Sequence, residues 1–174
     1  MNGQGSCRDN PQVKEAHVKV KRQLRSNPAK RMPLEEMLAA FHELRFAVLA
    51  TADEGKPYTS LITYAMTPGC RTLIFATSRV TSKYRNIRSQ PAVSILLDNR
   101  SQNARDLQNA QAVTLLGTAK EVRRSALKAE YRGAFLNRHP ELADFIDEPG
   151  TSLIAITVSQ AIHVTRLEDV SCWP

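Results

Sequence analysis

Apolar and polar residues alternate along much of this chain, and the period of the alternation changes at a few well-marked points. Between Arg45 and Asp98 the sequence reads RFAVLATADEGKPYTSLITYAMTPGCRTLIFATSRVTSKYRNIRSQPAVSILLD. Residues 45–51, 58–64 and 72–77 carry the short apolar runs of β-strands, and a fourth run, 92–97, closes the stretch. Asp53-Glu54-Gly55-Lys56-Pro57 has an acid and a glycine where a tight hairpin needs positive φ. Pro68-Gly69 is a second turn signal. Strands joined by turns this short are predicted to pair as antiparallel neighbours, a meander. The polar segment 78–83 then opens a helix predicted to run to about Ser89, which crosses to the fourth strand.

The flanking segments follow the same two periods. Leu34, Met37, Leu38, Phe41 and Leu44 recur at helical spacing, with Glu35 and Glu36 in the first turn where the helix dipole favours acids. His42 lies near this stripe and reads as a boundary residue. Residues 99–110 form a polar connection rich in Asn, Gln and Arg. A long strand is predicted over 111–122, where small residues at Gly117 and Ala119 allow close packing at a bend. A helix is expected over 125–136, broken by Arg138-His139-Pro140, then a helical turn over 141–146. Residues 151–158 and 161–167 read as the last two strands, and 168–174 as a tail bearing the only tryptophan, Trp173. The class is therefore mainly β with flanking helices: six or seven antiparallel strands suited to a small closed barrel.

Composition narrows the classes. With 174 residues, 42% hydrophobic and 24% charged, one domain with a sizeable core is expected. No apolar run approaches the roughly 20 residues of a membrane span, and no signal-peptide core opens the chain. Cys7, Cys70 and Cys172 are odd in number, widely scattered and without metal-site spacing, so three reduced thiols in a cytoplasmic protein are expected. Charge is unevenly placed. Beyond Pro11, residues Lys14, Lys19, Lys21, Arg22, Arg25, Lys30 and Arg31 stand against Glu15 alone, nearly the whole chain's net +7. Residues 1–31 thus form a basic, largely disordered arm, and 32–174 a nearly neutral domain. The arm suits an acidic surface or nucleic acid, or a merely solvated leader. It has no aromatic residues for base stacking, which speaks against nucleic acid.

The candidate chemistry sits where the third run ends. Thr77, Ser78, Thr81 and Ser82 bring hydroxyls and Lys83 a fixed positive charge, with Arg79 and Arg85 nearby. A helix beginning at Thr81 or Ser82 adds backbone N–H groups without intrahelical partners, and the three together make an anion site suited to phosphate. The same residues also suit a plain helix start, with a Thr or Ser cap and Lys83 in solvent.

Three pieces, LATADEGKPYTSLITY, LIFATSRVTSKYRNI and QPAVSILLD, resemble in order and spacing the flavin-binding split-barrel family that includes pyridoxamine 5′-phosphate oxidase. The likeness covers at least residues 34–122. It implies a six- to seven-stranded antiparallel FMN-binding split barrel, a homodimer with flavin sites at the two-fold interface, and hydride transfer through the flavin between small molecules. On that resemblance Ser60, Leu61, Ile62 and Thr63 lie along the flavin ring. Thr77 and Ser78 fall beside the ring and ribityl chain, Thr81, Ser82 and Lys83 at the phosphate, and Asn86 just after it. Gln111 and Trp173 are candidates to reach the partner's flavin. The oxidase has an Arg where this chain has Ser60, which leaves Lys83 to carry more of the phosphate. The oxidase's second-strand Lys and its C-terminal His-Asp-Arg are absent, so a true pyridoxine-phosphate oxidase is not expected.

Nothing in the residues suggests nucleophilic or hydrolytic chemistry, which fits a protein whose cofactor carries the reaction. Two other readings remain at this level. Some split-barrel relatives handle haem, for which His163 or His139 would serve as ligand, and others use the deazaflavin F420 in place of FMN. The third is a nucleic-acid-binding module acting through the basic arm.

Overall fold

A computed structural model describes residues 32–100, 109–165 and 169–173. The basic arm and most of the polar 99–110 connection lie outside the described residues. The chain enters on a helix α1, Leu34–Leu38, continued by a 3-10 turn, Ala39–Phe41. Of the predicted stripe, Leu34, Met37, Leu38 and Phe41 are buried in the main core, and Leu44, beyond the helical turn, packs partly buried against it.

Eight strands follow among the described residues, every recorded pairing antiparallel. They are β1 (Phe46–Asp53), β2 (Lys56–Thr63), β3 (Ala65–Met66), β4 (Thr72–Ser78), β5 (Ala92–Asp98), β6 (Gln111–Glu121), β7 (Thr151–Thr165) and β8 (Asp169–Trp173). The helices between them are α2 (Ser82–Ser89), α3 (Ser125–Arg138) and, after a turn at Pro140–Leu142, α4 (Ala143–Asp147). The sheet runs β2-β1-β5-β6-β7-β4-β3, with β8 on the far half of β7. It curls into a half-barrel, so that β2 at one end touches β4 near the other. Inside lie Leu49, Phe75, Ile95, Leu115, Ile154 and their neighbours, with the buried side of α1 packed into the same cluster. A second cluster, around Phe135, Ile74 and Leu153, packs α3 on the outer face.

Two expectations are corrected. The first three runs do not form a meander. β1 and β2 pair as a hairpin through Glu54 and Gly55, both at positive φ, but β4 pairs with β3 and β7 instead of β2. The chain breaks from β2 at Tyr64, which is buried with its hydroxyl donating to the Phe41 carbonyl. Two further residues, Ala65 and Met66, make the hairpin with β4, and the Pro68-Gly69 turn serves that hairpin. Second, residues 151–165 are one strand, not part of two. The register on β6 shifts between Leu116 and Gly117, where Ser159 is the extra residue of a bulge. Before the bulge Ile154, Ile156 and Val158 face the interior; after it Ala161 and His163 do. An inserted residue flips the alternation, which in sequence reads as a strand break. The segment read as a tail ends in β8, and Trp173 pairs with Ala161.

Candidate functional site

β4 ends at Ser78, and α2 begins four residues later on a Thr81 cap whose Oγ1 accepts from the Tyr84 amide at 3.4 Å. The loop is tied down on both sides. The Arg79 amide donates to the Gly150 carbonyl, and Thr81 Oγ1 donates to the Ser78 carbonyl at 2.8 Å. Because that proton is committed, the 3.1 Å contact between Thr77 and Thr81 must have Thr77 donating. Both threonine protons are therefore consumed within the loop. Ser82 differs: its Oγ accepts from Arg85 Nη2 at 3.1 Å and keeps its own proton. The amides of Ser82 and Lys83 open the helix without an acceptor among the described residues, and half-buried Lys83 has no carboxylate partner among them. Of the predicted donors, then, Ser82, Lys83 and the first helical amides are free for an anion, while Thr77 and Thr81 shape the loop.

Asn86 is buried and donates to Thr51 Oγ1 at 3.0 Å, pinning α2 to β1. β2, whose second half is Ser60, Leu61, Ile62 and Thr63, touches both β4 and α2. Ile62 faces the core, whereas Leu61 is exposed on the outer face. Ser60 Oγ is buried with no partner. A buried hydroxyl without a hydrogen bond is costly, so this orphan fits a site completed by a ligand. Among the described residues no group of His, Cys, Asp and Glu is arranged to hold a metal.

The remaining candidates lie elsewhere. Gln111 starts β6, and its Oε1 sits 3.2 Å from His163 Nε2. His163 is buried against the edge of Phe41, and that burial lowers its pKa. Trp173 packs on its own chain's core beneath the Arg71 guanidinium, 5.5 Å from the ring centre. His139 is fully buried. Arg45 Nη2 donates to its Nδ1 at 3.2 Å, which leaves Nε2 as the protonated nitrogen, donating to the Tyr64 carbonyl at 2.8 Å. Both ring nitrogens are thereby engaged in bonds within the chain.

One residue the sequence reading passed over organises the far side of α2. Glu121 accepts from Ser152 Oγ at 2.7 Å, from Arg79 at 3.2 Å, from Arg123 at 3.3 Å and from the Tyr84 hydroxyl, with Arg88 at 3.5 Å. Burial pushes its carboxyl up, but the bonds from Ser152, Arg79 and Arg123 outweigh it and hold the pKa below the ordinary value. Arg79 is thus turned away from the loop toward Glu121 and the Pro149 carbonyl. Arg85 is likewise occupied, on the Val80 carbonyl and Ser82. The signal in sequence was a lone acid followed by Arg123-Arg124 at a strand end.

A curled antiparallel half-barrel with helices on its flanks defines the split-barrel class. The chain belongs to the family described as pyridoxamine 5′-phosphate oxidase, whose sequence profile matches residues 33–165. Comparison with curated proteins gave no match. Among solved structures, a haem-binding protein from Mycobacterium smegmatis superposes with a TM-score of 0.69 at 24% identity, over 82% of this chain and 58% of that one. The chain thus spans less than two thirds of that protein's length. HutZ, a haem storage protein from Vibrio cholerae, gives 0.63 at 23% identity, over 74% of this chain and 92% of its own. A FAD-binding protein from Mesorhizobium loti gives 0.61 at 18%, over 78% and 96%. At such identities the likeness speaks for the fold.

Proposed function

We propose that this protein is an FMN-dependent oxidoreductase of its family, with the flavin phosphate on the loop before α2 and the site shared between two copies of the chain. The observation that carries the reading is the cation-and-amide corner: Lys83 and the Ser82 and Lys83 amides have no partner in the described chain, and the Ser82 hydroxyl keeps its proton. A phosphate would satisfy all of them, each such bond contributing about 1.5–3 kcal/mol. Asn86 and Thr51 fix α2 against the sheet, so the amides stay aimed. The unpartnered Ser60 hydroxyl and the backbone of β2 would lie along the cofactor. Flavin, when bound, supplies hydride exchange with a small organic acceptor or donor; the chain's residues bind it, orient it and screen it from water.

The second copy is supported by the outer face of β1 and β2. Phe46 is 55% and Leu61 63% exposed, beside a hollow of about 370 Å³ lined also by Val48 and Leu96. An apolar face of this kind suits burial against a partner. The His139 geometry weighs against haem at that residue, since neither nitrogen has a free lone pair.

The test is a visible absorption titration of the purified full chain with FMN, with FAD, with the deazaflavin and with hemin. A perturbed flavin double band with FMN, weaker with FAD and the deazaflavin, supports the reading. A sharp Soret band with hemin and no response to any flavin replaces it with haem binding.

A further inference from the structure

Arg138, the last residue of α3, is a cation without a counter-charge. Arg132, earlier on the same helix, is paired in two-pronged fashion with Asp147. Arg138 has no carboxylate partner among the described residues, although it is half-buried. It is held in place by neutral groups instead. Its Nη2 donates to the carbonyls of His42 and Leu44, and its guanidinium lies 5.3 Å from the centre of the Tyr64 ring. Nε is buried without an acceptor, and Nη1 has none among the described residues.

Beside it opens a cavity of about 390 Å³ between α1 and the end of α3, within the size range of small-molecule sites. Leu38, Phe41, Met66 and Leu97 give it apolar walls, Arg138 and Asn137 a polar end, and no Asp or Glu lines it. A positioned guanidinium partly withdrawn from water favours an anion that completes it, and planar carboxylates match its fork.

We infer that this cavity binds a small organic carboxylate with an apolar body, the carboxylate on Arg138 and the body against Met66 and the cavity's other apolar walls. A phosphate dianion fits less well, because the one other lining group that can carry positive charge, His42, is already bonded to the Ala39 carbonyl and beside Glu43. β2 leads from Ser60–Thr63 directly into Tyr64 and Met66 on the cavity wall. On the flavin reading the carboxylate would be the substrate; the binding itself does not rest on that reading.

The experiment is calorimetric titration of the full chain with benzoate, benzamide and phenyl phosphate, with FMN binding followed separately by fluorescence. Benzoate is expected to bind at least tenfold more tightly than benzamide and more tightly than phenyl phosphate. Arg138→Gln should abolish the preference for benzoate over benzamide. Because Arg138 also braces two carbonyls, Ala134→Leu, which fills the cavity and leaves the guanidinium in place, is the second variant and should weaken benzoate at least tenfold. Equal binding of benzoate and benzamide, tighter binding of phenyl phosphate, or benzoate affinity unchanged in Ala134→Leu overturns the inference. Loss of FMN binding with benzoate binding intact would sink the flavin reading and leave this one standing.

Discussion

At the scale of single residues, two side chains set measurable properties. Lys83, at the start of α2, has no carboxylate partner among the described residues. Lys83→Ala is expected to weaken FMN by about 1.5–3 kcal/mol, roughly 10- to 100-fold in Kd, as read by flavin fluorescence quenching. Unchanged affinity would remove the loop from the cofactor site. His163 reports through pH. Burial depresses its folded pKa below the 6.5 of the unfolded chain. In the interval between the two values the unfolded chain holds a proton that the folded chain does not, so stability falls as pH drops through about 6.5 toward the folded pKa. The loss has a limiting slope of about 1.4 kcal/mol per pH unit. Glu121 enters only at lower pH, since its depressed pKa leaves its stabilising bonds intact until acid protonates it. Urea denaturation at pH 7 and pH 5 should therefore show a larger drop for the native chain than for His163→Gln.

At the scale of elements, the β6–β7 bulge is held by a glycine. A Cβ on Gly117 would lie 2.5 Å from the Thr157 carbonyl oxygen and 2.9 Å from the Ile156 side chain. Gly117→Ala is expected to lower unfolding stability by about 1–3 kcal/mol; an unaltered denaturation midpoint would contradict the close approach. That glycine was legible in the sequence as a bend. So was α2, because a Thr cap, a polar first turn and an apolar Ile87 all agree on one start. The rest was hidden for physical reasons. β3 is two residues long, too short for any periodicity, so the chain's departure from β2 at Tyr64 left no trace in the pattern. The bulge at Ser159 reversed the alternation and split one strand into two. His139 and Arg138 read as a helix stop beside Pro140, and local sequence carries no sign that the fold buries one and leaves the other without a carboxylate partner among the described residues. The strand end at Ser78 and the helix start at Ser82 were legible too, but the allocation of protons among Thr77, Thr81 and Ser82 depends on distances that spacing cannot give.

At the scale of the whole molecule, the proposal of a second copy rests on the outer face of β1 and β2. Leu61→Glu places a charge in its centre and is expected to turn a dimer into a monomer by light scattering, with weaker FMN binding if the two sites are shared. A native chain that is monomeric at micromolar concentration would dismiss the shared site. β7 carries a different consequence. It joins β4, β6 and β8, and so bonds the two arms of the curled sheet together. During synthesis every strand from β1 to β6 leaves the ribosome before it. Until residues 151–165 emerge, β4 has only the two-residue β3 beside it, and its other margin is open to strangers. The half-barrel is thus a structure that the nascent chain cannot complete piecemeal, and β7 sets the moment at which the open edge of β4 is closed to stray strands.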